Sequence, residues 1–102
     1  MAKLVALYKK PADTAAFNSH YFSKQVPLAK AIAGVRRYGV SVGPVAALHG
    51  ESPFHLVAVL DFDSMAAIQQ ALASPEGIAA AADLPNFAQA GVDILIFDSK
   101  DV

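Results

Sequence analysis

The stretch Phe54-His-Leu-Val-Ala-Val-Leu-Asp-Phe62 carries the strongest strand signal in this chain. β-Branched and aromatic residues dominate it and turn-forming residues bound it, as expected of a β-strand. Successive residues of a strand point to opposite faces of the sheet. Leu56 and Leu60 therefore share one face, while Val57 and Val59 share the other, so both faces of this strand are apolar.

Three more segments have strand character: Lys3–Lys9, Val35–Val42 and Val92–Asp98. The last of them repeats the two-faced pattern, because Ile94 and Ile96 oppose Leu95 and Phe97. A strand in a sheet with one solvated face would instead alternate apolar and polar residues. The sheet is thus expected to be covered on both sides.

Helical segments lie between the strands. Asp13 is a plausible N-cap for a first helix, which Pro27 is expected to interrupt. Residues that recur at a spacing of three or four mark its inward side: Phe17, His20, Tyr21 and Lys24.

A second helical region follows the third strand. Ser64 can cap a helix whose inward stripe is expected to be Met65, Ile68 and Leu72. Ser74-Pro75-Glu76 begins another helix, with a capping serine, a proline at the first helical position and an acid in the first turn. That helix is predicted to run to Asp83, and Leu84-Pro85-Asn86-Phe87 is predicted to form a loop.

The element order is therefore β-α-β-β-α-β, the ferredoxin-like α+β plan, with a four-stranded antiparallel sheet and helices on one face. The connection Gly43–Pro53 is expected to be long and exposed. An uncovered second apolar face would exceed the patches that monomers usually expose. The sequence thus predicts a C2 homodimer in which two four-stranded sheets pack face to face.

Composition bounds the possible functions. The 102 residues suit a single domain, residues 1–102, and with 55% hydrophobic and only 17% charged residues disorder is excluded over most of the chain. A net charge of −1 with no basic stripe argues against nucleic-acid binding, and the absence of Cys excludes thiol chemistry. No signal peptide or membrane-length apolar run is present, so a cytoplasmic protein without membrane association is the default expectation.

One segment is similar to a known family. Phe17-Asn18-Ser19-His20-Tyr21-Phe22-Ser23-Lys24-Gln25-Val26-Pro27-Leu28, followed by Ala33-Gly34-Val35-Arg36-Arg37-Tyr38, resembles the EthD pattern F-x-x-[HY]-Y-x-x-x-H-x-P-L and its turn into the second strand. Tyr8, Pro11 and Asp13 fit the preceding part. The motif resemblance spans about residues 3–40, and the element order extends it over the whole chain.

The resemblance implies a dimeric α+β barrel, in agreement with the two-faced strands. The family's namesake accompanies an ether-degrading oxygenase system, and related barrels include isomerases, aromatic cyclases and cofactor-free monooxygenases. A small apolar or aromatic ligand, without a bound cofactor, is therefore expected. This chain departs from the pattern at Gln25, where the family usually has His; a glutamine forms hydrogen bonds but cannot shuttle protons.

His20 is the candidate catalytic residue, as a proton-transfer group at the mouth of a pocket; the alternative is a half-buried histidine that bonds nearby backbone groups. The expected substrate-binding residues are Tyr8, Phe17, Tyr21, Gln25 and Phe87. Tyr21 and Gln25 would position an oxygen, and the other three would wall the pocket. Tyr8, Tyr21 and Tyr38 are equally compatible with simple core packing.

The remaining histidines are weaker candidates. His55 could form a polar spot with Asp61 and Asp93 in the dimer interior, or lie in solvent at a strand end; His49 falls in the exposed loop. The three histidines have no metal-ligand spacing, so no metal is expected, and no glycine-rich phosphate loop is present.

Two functions follow as hypotheses. The first is a cofactor-independent isomerase or cyclase that acts on a small apolar or aromatic metabolite by general acid–base catalysis. The second is a non-catalytic accessory or ligand-binding dimer that serves a degradative oxygenase system, which Gln25 favours. A purely structural dimer is a third reading.

Overall fold

Strand pairing organises the molecule around one sheet. In the computed structural model, which describes all residues 1–102, four strands form an antiparallel sheet in the order β2-β3-β1-β4. The strands are β1 (Ala2–Lys9), β2 (Arg37–Val40), β3 (Phe54–Phe62) and β4 (Val92–Asp98). The predicted ferredoxin-like α+β topology is confirmed. β2 is shorter than the predicted Val35–Val42, although Arg36 N–H and Ser41 N–H just beyond its ends still donate to the Asp61 and Val57 carbonyls at 2.8 Å. Val57 N–H in turn donates to the Ser41 hydroxyl at 3.0 Å.

The helices all lie between strands in the predicted order: α1 (Thr14–His20), a π-helical turn (Tyr21–Gln25), α2 (Val26–Lys30), α3 (Met65–Ala73), α4 (Pro75–Asp83) and a short 3-10 turn (Leu84–Asn86). The three predicted caps are confirmed. Asp13, Ser64 and Ser74 each accept a hydrogen bond from the backbone N–H three residues later. No helix is both long and apolar enough to traverse a bilayer.

The prediction that Pro27 interrupts the first helix is wrong. The helical path continues to Lys30, and the π turn before Pro27 widens it, with Val26 N–H donating to the Tyr21 carbonyl. A π turn adds one residue to a helical turn, and the wider turn makes room for the proline ring, which would otherwise clash with the carbonyl four residues earlier. The extra residue also shifts the inward stripe, so Gln25 is buried and the predicted Lys24 is exposed.

The inward stripe of α3 also differs by one residue from the prediction. Ile68 and Ala71 are buried, whereas Leu72 is 43% exposed. α4 begins directly against the end of α3, and a Cβ on Gly77 would lie 1.9 Å from the Ala71 carbonyl oxygen. This close approach leaves no room for a side chain at position 77.

The sheet has one covered and one uncovered face. The helix-facing side carries the core, including Leu4, Leu56, Leu60 and Phe62. The opposite side, termed the outer face, is apolar at six positions: Val5, Leu7, Val57, Val59, Leu95 and Phe97. Leu95 and Phe97 are 52% and 42% exposed, so nothing within the chain covers this face.

A β-bulge changes the expected position of His55. The β1–β3 register shifts between Tyr8 and Lys9, and the His55 ring packs edge-on against Phe17 of α1 at 4.9 Å. His55 Nε2 donates to Asn18 Oδ1 at 2.8 Å. His55 therefore does not join Asp61, as one hypothesis had it, because the extra residue of a bulge breaks the strict alternation of faces.

The Gly77 contact gives a stability prediction. Gly77→Ala should lower the free energy of unfolding by about 1–3 kcal/mol through overpacking, although alanine is the better helix former by about 1 kcal/mol. Urea unfolding followed by circular dichroism measures the change. Ala79→Gly, at an exposed position of the same helix, is the control and should cost about 1 kcal/mol from propensity alone. An unchanged or raised stability of Gly77→Ala would contradict the contact.

Candidate functional site

A cavity of ≈ 90 Å³ lies between the sheet and the helices. Alanines make up much of its lining, with Ala6 and Ala58 from the sheet and Ala29, Ala71 and Ala80 from the helices, and all five are buried. Short side chains at these positions leave space where longer ones would interlock. The cavity reaches the surface beside Leu72 and Ile94, which are 43% and 45% exposed.

Four polar side chains contribute to an otherwise apolar lining: Tyr8, Tyr21, Gln25 and Tyr38. The hydroxyl oxygens of Tyr21 and Tyr38 are 2.5 Å apart, so one donates to the other. Burial raises the pKa of Tyr8, Tyr21 and Tyr38 above that of a solvated phenol, and the neighbouring hydroxyls add to the effect for Tyr8 and Tyr21. At neutral pH the three phenols are therefore uncharged hydrogen-bonding groups.

Gln25 connects the cavity to a carboxylate on α4. Both neighbours of its amide are acceptors, so the nitrogen faces them, donating to Asp83 Oδ2 at 3.0 Å and to the Ala80 carbonyl at 3.2 Å. On its other side Asp83 accepts from His20 Nε2 at 2.9 and 3.0 Å, and Asn86 Nδ2 donates to it at 3.1 Å. This His20–Asp83–Gln25 chain joins α1, the π turn and α4.

His20 itself lies outside the cavity. Its ring stacks on Phe87 with centroids 5.1 Å apart and borders a surface cleft that Phe17 and Phe87 also line. The aromatic rings of Tyr8, Phe17 and Phe87 contact one another at 5.3–5.6 Å and form a wall between the cleft and the cavity. Of the six residues predicted for the site, the structure brings Tyr8, Tyr21 and Gln25 to the cavity and His20, Phe17 and Phe87 to the cleft.

Asp83 is the residue that sequence reasoning missed, since it was assigned only as the end of a helix. Its signal was present: an acidic residue in the last turn of a helix opposes the helix dipole, so it needs a partner elsewhere. That partner, His20, lies 63 positions away in sequence. Tyr38, a strand aromatic that was not among the expected substrate-binding residues, also lines the cavity.

Comparison with known proteins identifies the family. The model of the EthD domain matches residues 9–91. The chain belongs to the EthD family. An EthD family protein from Bacillus halodurans is 36% identical, with a TM-score of 0.89 over 98% of this chain and 99% of that one.

Other matches extend this result. An uncharacterized 11.0 kDa protein from the thcB-thcC intergenic region of Rhodococcus erythropolis is 45% identical over 100% of this chain and 98% of its own length. Two distant structures share the fold alone. SnoaB, a cofactor-independent oxygenase from Streptomyces nogalater, is 17% identical, with a TM-score of 0.69 over 99% and 94% of the two chains. A dimeric ferredoxin-like protein of unknown function from Thermobifida fusca is 18% identical, with a TM-score of 0.69 over 94% and 88%.

The buried phenols of this EthD domain predict its behaviour at alkaline pH. All three tyrosines have a raised pKa in the folded state, so above about pH 10, where unfolded tyrosine ionises, the unfolded chain loses protons first. Stability is then fully present below pH 10 and falls as the pH rises further. We expect tyrosinate absorbance at 295 nm to appear together with the loss of circular dichroism, in one transition.

The chain is well suited to this measurement, because it has only three Tyr and no Trp. Free tyrosine in the same buffers is the control and should titrate near its ordinary pKa. A tyrosinate signal that develops near pH 10 while the circular dichroism is still native would contradict the burial of these hydroxyls.

Proposed function

We propose that this EthD-family protein acts in small-molecule catabolism by binding a small apolar or aromatic molecule in the cavity between sheet and helices. The observation that supports this most is the cavity itself, since native interiors are close-packed and leave few voids larger than a water molecule. An apolar cavity with a few polar groups is the usual form of a ligand site. Tyr8, Tyr21 and Gln25 would contact the ligand.

The size of the cavity limits the ligand. At ≈ 90 Å³ it is smaller than the roughly 150 Å³ cavity that takes benzene. A compact molecule, or one whose remainder extends past Leu72 and Ile94 at the mouth, meets this limit. Extended polycyclic molecules do not.

The proposal includes a homodimer formed by the outer face. Val5, Val59 and Leu95 are cross-strand neighbours at its centre, while Lys3 and Asp61 form an ion pair at 2.7 Å toward one end. Four strands about 4.8 Å apart and about 24 Å long cover roughly 450 Å² before side-chain relief is counted. That flat area is about half of the roughly 800 Å² that a standard interface buries per partner, and side-chain relief adds to it. The Thermobifida fusca neighbour is described as dimeric.

A charge at the centre of the outer face should break the dimer. Val59→Asp would bury an unpaired carboxylate against the partner's sheet, at a cost of several kcal/mol, and we expect a monomer by light scattering at micromolar concentration. Val42→Asp is the control, because Val42 is 95% exposed in the loop after β2. If wild type has the mass of one 10.7 kDa chain, the proposed dimer is wrong.

One version of the function is enzymatic: a cofactor-independent isomerase or cyclase. The His20–Asp83 pair supports it, because a carboxylate that accepts Nε2–H fixes the tautomer and leaves Nδ1 as a base. Gln25 and Tyr21 would hold an oxygen of the substrate. A positioned proton-transfer group typically contributes about 10²–10⁴-fold, which suits an activated substrate.

The second version is a non-catalytic accessory or ligand-binding protein of a degradative oxygenase system. Two observations support it. The wall of Tyr8, Phe17 and Phe87 separates His20 from the cavity, and Gln25 stands where the family pattern has a histidine. In this version the His20–Asp83–Gln25 chain holds the helices in place over a bound molecule.

A fragment screen tests the shared proposal. Titration of the ¹⁵N-labelled protein with toluene, phenol and cyclopentanone should shift amide signals around the cavity. Ala80→Leu, which projects a larger side chain into the space, should abolish those shifts while circular dichroism stays native. Ala79→Leu, exposed on the same helix, should leave them intact. Shifts that persist in Ala80→Leu, or no shifts in wild type, would refute binding in the cavity.

A variant of His20 separates the two versions once a natural ligand is found. His20→Gln keeps a donor for Asp83 but removes the titratable ring. In the enzymatic version this change lowers turnover by about 10²-fold or more and leaves binding unchanged. Binding without conversion by wild type supports the accessory version.

A further inference from the structure

Of the three tyrosine hydroxyls that line the cavity, only that of Tyr8 has no hydrogen-bonding partner in the protein. Tyr21 and Tyr38 bond each other, whereas the Tyr8 hydroxyl forms no hydrogen bond with a side chain or with the backbone. Tyr8 is nevertheless only 3% exposed, and it lines the cavity. A polar group that lines an apolar cavity and has no protein partner can bond a ligand there.

The position of Tyr8 suits that role. Its ring is fixed by edge contacts with Phe17 and Tyr21 at 5.5 Å each. No hydroxyl in the chain is sealed from open space without a partner, so the unbonded Tyr8 hydroxyl touches open space, and the cavity is the space that Tyr8 lines. A rigid ring that presents a single donor to an apolar space matches a ligand with one acceptor atom.

We propose that the cavity recognises a compact, uncharged molecule that bears one carbonyl or hydroxyl oxygen, and that Tyr8 donates a hydrogen bond to that oxygen. This inference rests on the proposed function and narrows its ligand class. Neutral oxygen acceptors fit because the phenol remains protonated at neutral pH, since burial raises its pKa.

The charges around the cavity exclude carboxylates from this class. No Lys or Arg lines the space, so a buried carboxylate would have no counter-charge and would pay the full desolvation penalty. The Asp83 carboxylate holds Gln25 at the edge of the cavity and raises the pKa of Tyr8 electrostatically. Its negative charge repels a second anion.

A matched set of three probes tests the proposal by isothermal titration calorimetry: cyclopentanone, methylenecyclopentane and cyclopentanecarboxylate at pH 7. The first two have nearly the same shape and differ in one acceptor oxygen. Tyr8→Phe removes only the hydroxyl and should reduce the preference for ketone over alkene by about 2- to 12-fold, the range for one neutral hydrogen bond. The carboxylate should bind wild type at least 10-fold more weakly than the ketone.

Tyr38→Phe is the matched control, since it also deletes one phenol hydroxyl of the cavity but one that already has a partner. Because that hydroxyl is already bonded to Tyr21, its loss should reduce the ketone preference less than Tyr8→Phe does. An unchanged preference in Tyr8→Phe, an equal loss in Tyr38→Phe, or carboxylate binding as tight as ketone binding would each overturn the assignment. Those results leave the proposed function standing, because the probes still bind; if neither neutral probe binds wild type, the proposed function fails and the inference with it.

Discussion

Alanines face one another across part of the interface between the sheet and its helices, and the cavity follows from this choice of residue. Ala6 and Ala58 lie side by side in the middle of the sheet, opposite Ala29 and Ala80 of α2 and α4. Larger side chains near the edges of the interface, among them the fully buried Phe62, keep the two layers apart. Interiors normally fill such gaps. Alanine fills 21 of the 102 positions and makes up more than a third of the hydrophobic residues, which are 55% of the chain.

The π turn determines which polar groups border this cavity. Along an ordinary α-helix a spacing of four residues drifts by about 40° per step. The buried residues Phe17, Tyr21, Gln25 and Ala29 are nevertheless all four apart, because the wider π turn offsets the drift. Gln25 therefore faces inward, where Asp83 can hold its amide. Pro27, whose ring the widened turn accommodates, is thus linked physically to the polarity of the cavity.

The layout of the fold was predictable from local pattern, and the details of the site were not. Alternation along Phe54–Phe62 and the capping residues Ser64 and Ser74 were sufficient for the order of the elements, since each acts within a few residues. Two of the local failures share one cause. The π turn and the β-bulge at His55 each insert a single residue into a regular helix or strand. The pattern of inward-facing side chains beyond the insertion is then shifted by one residue from the pattern that regular spacing predicts. The role of Asp83 was missed for a different reason. Its partner, His20, is distant in sequence and close only in the folded chain.

Strand β4 borders both the proposed dimer interface and the proposed entrance for the ligand. It is an edge strand, and apolar side chains on both of its faces are exposed. In the proposed dimer a second copy covers Leu95 and Phe97, which lie on the outer face. Ile94 points the other way and borders the mouth of the cavity, so a partner sheet cannot cover it. A ligand that enters beside Ile94 approaches the sheet from the face opposite to the interface. Entry of the ligand and association of the sheets therefore use separate surfaces, so disruption of the dimer need not close the path to the cavity.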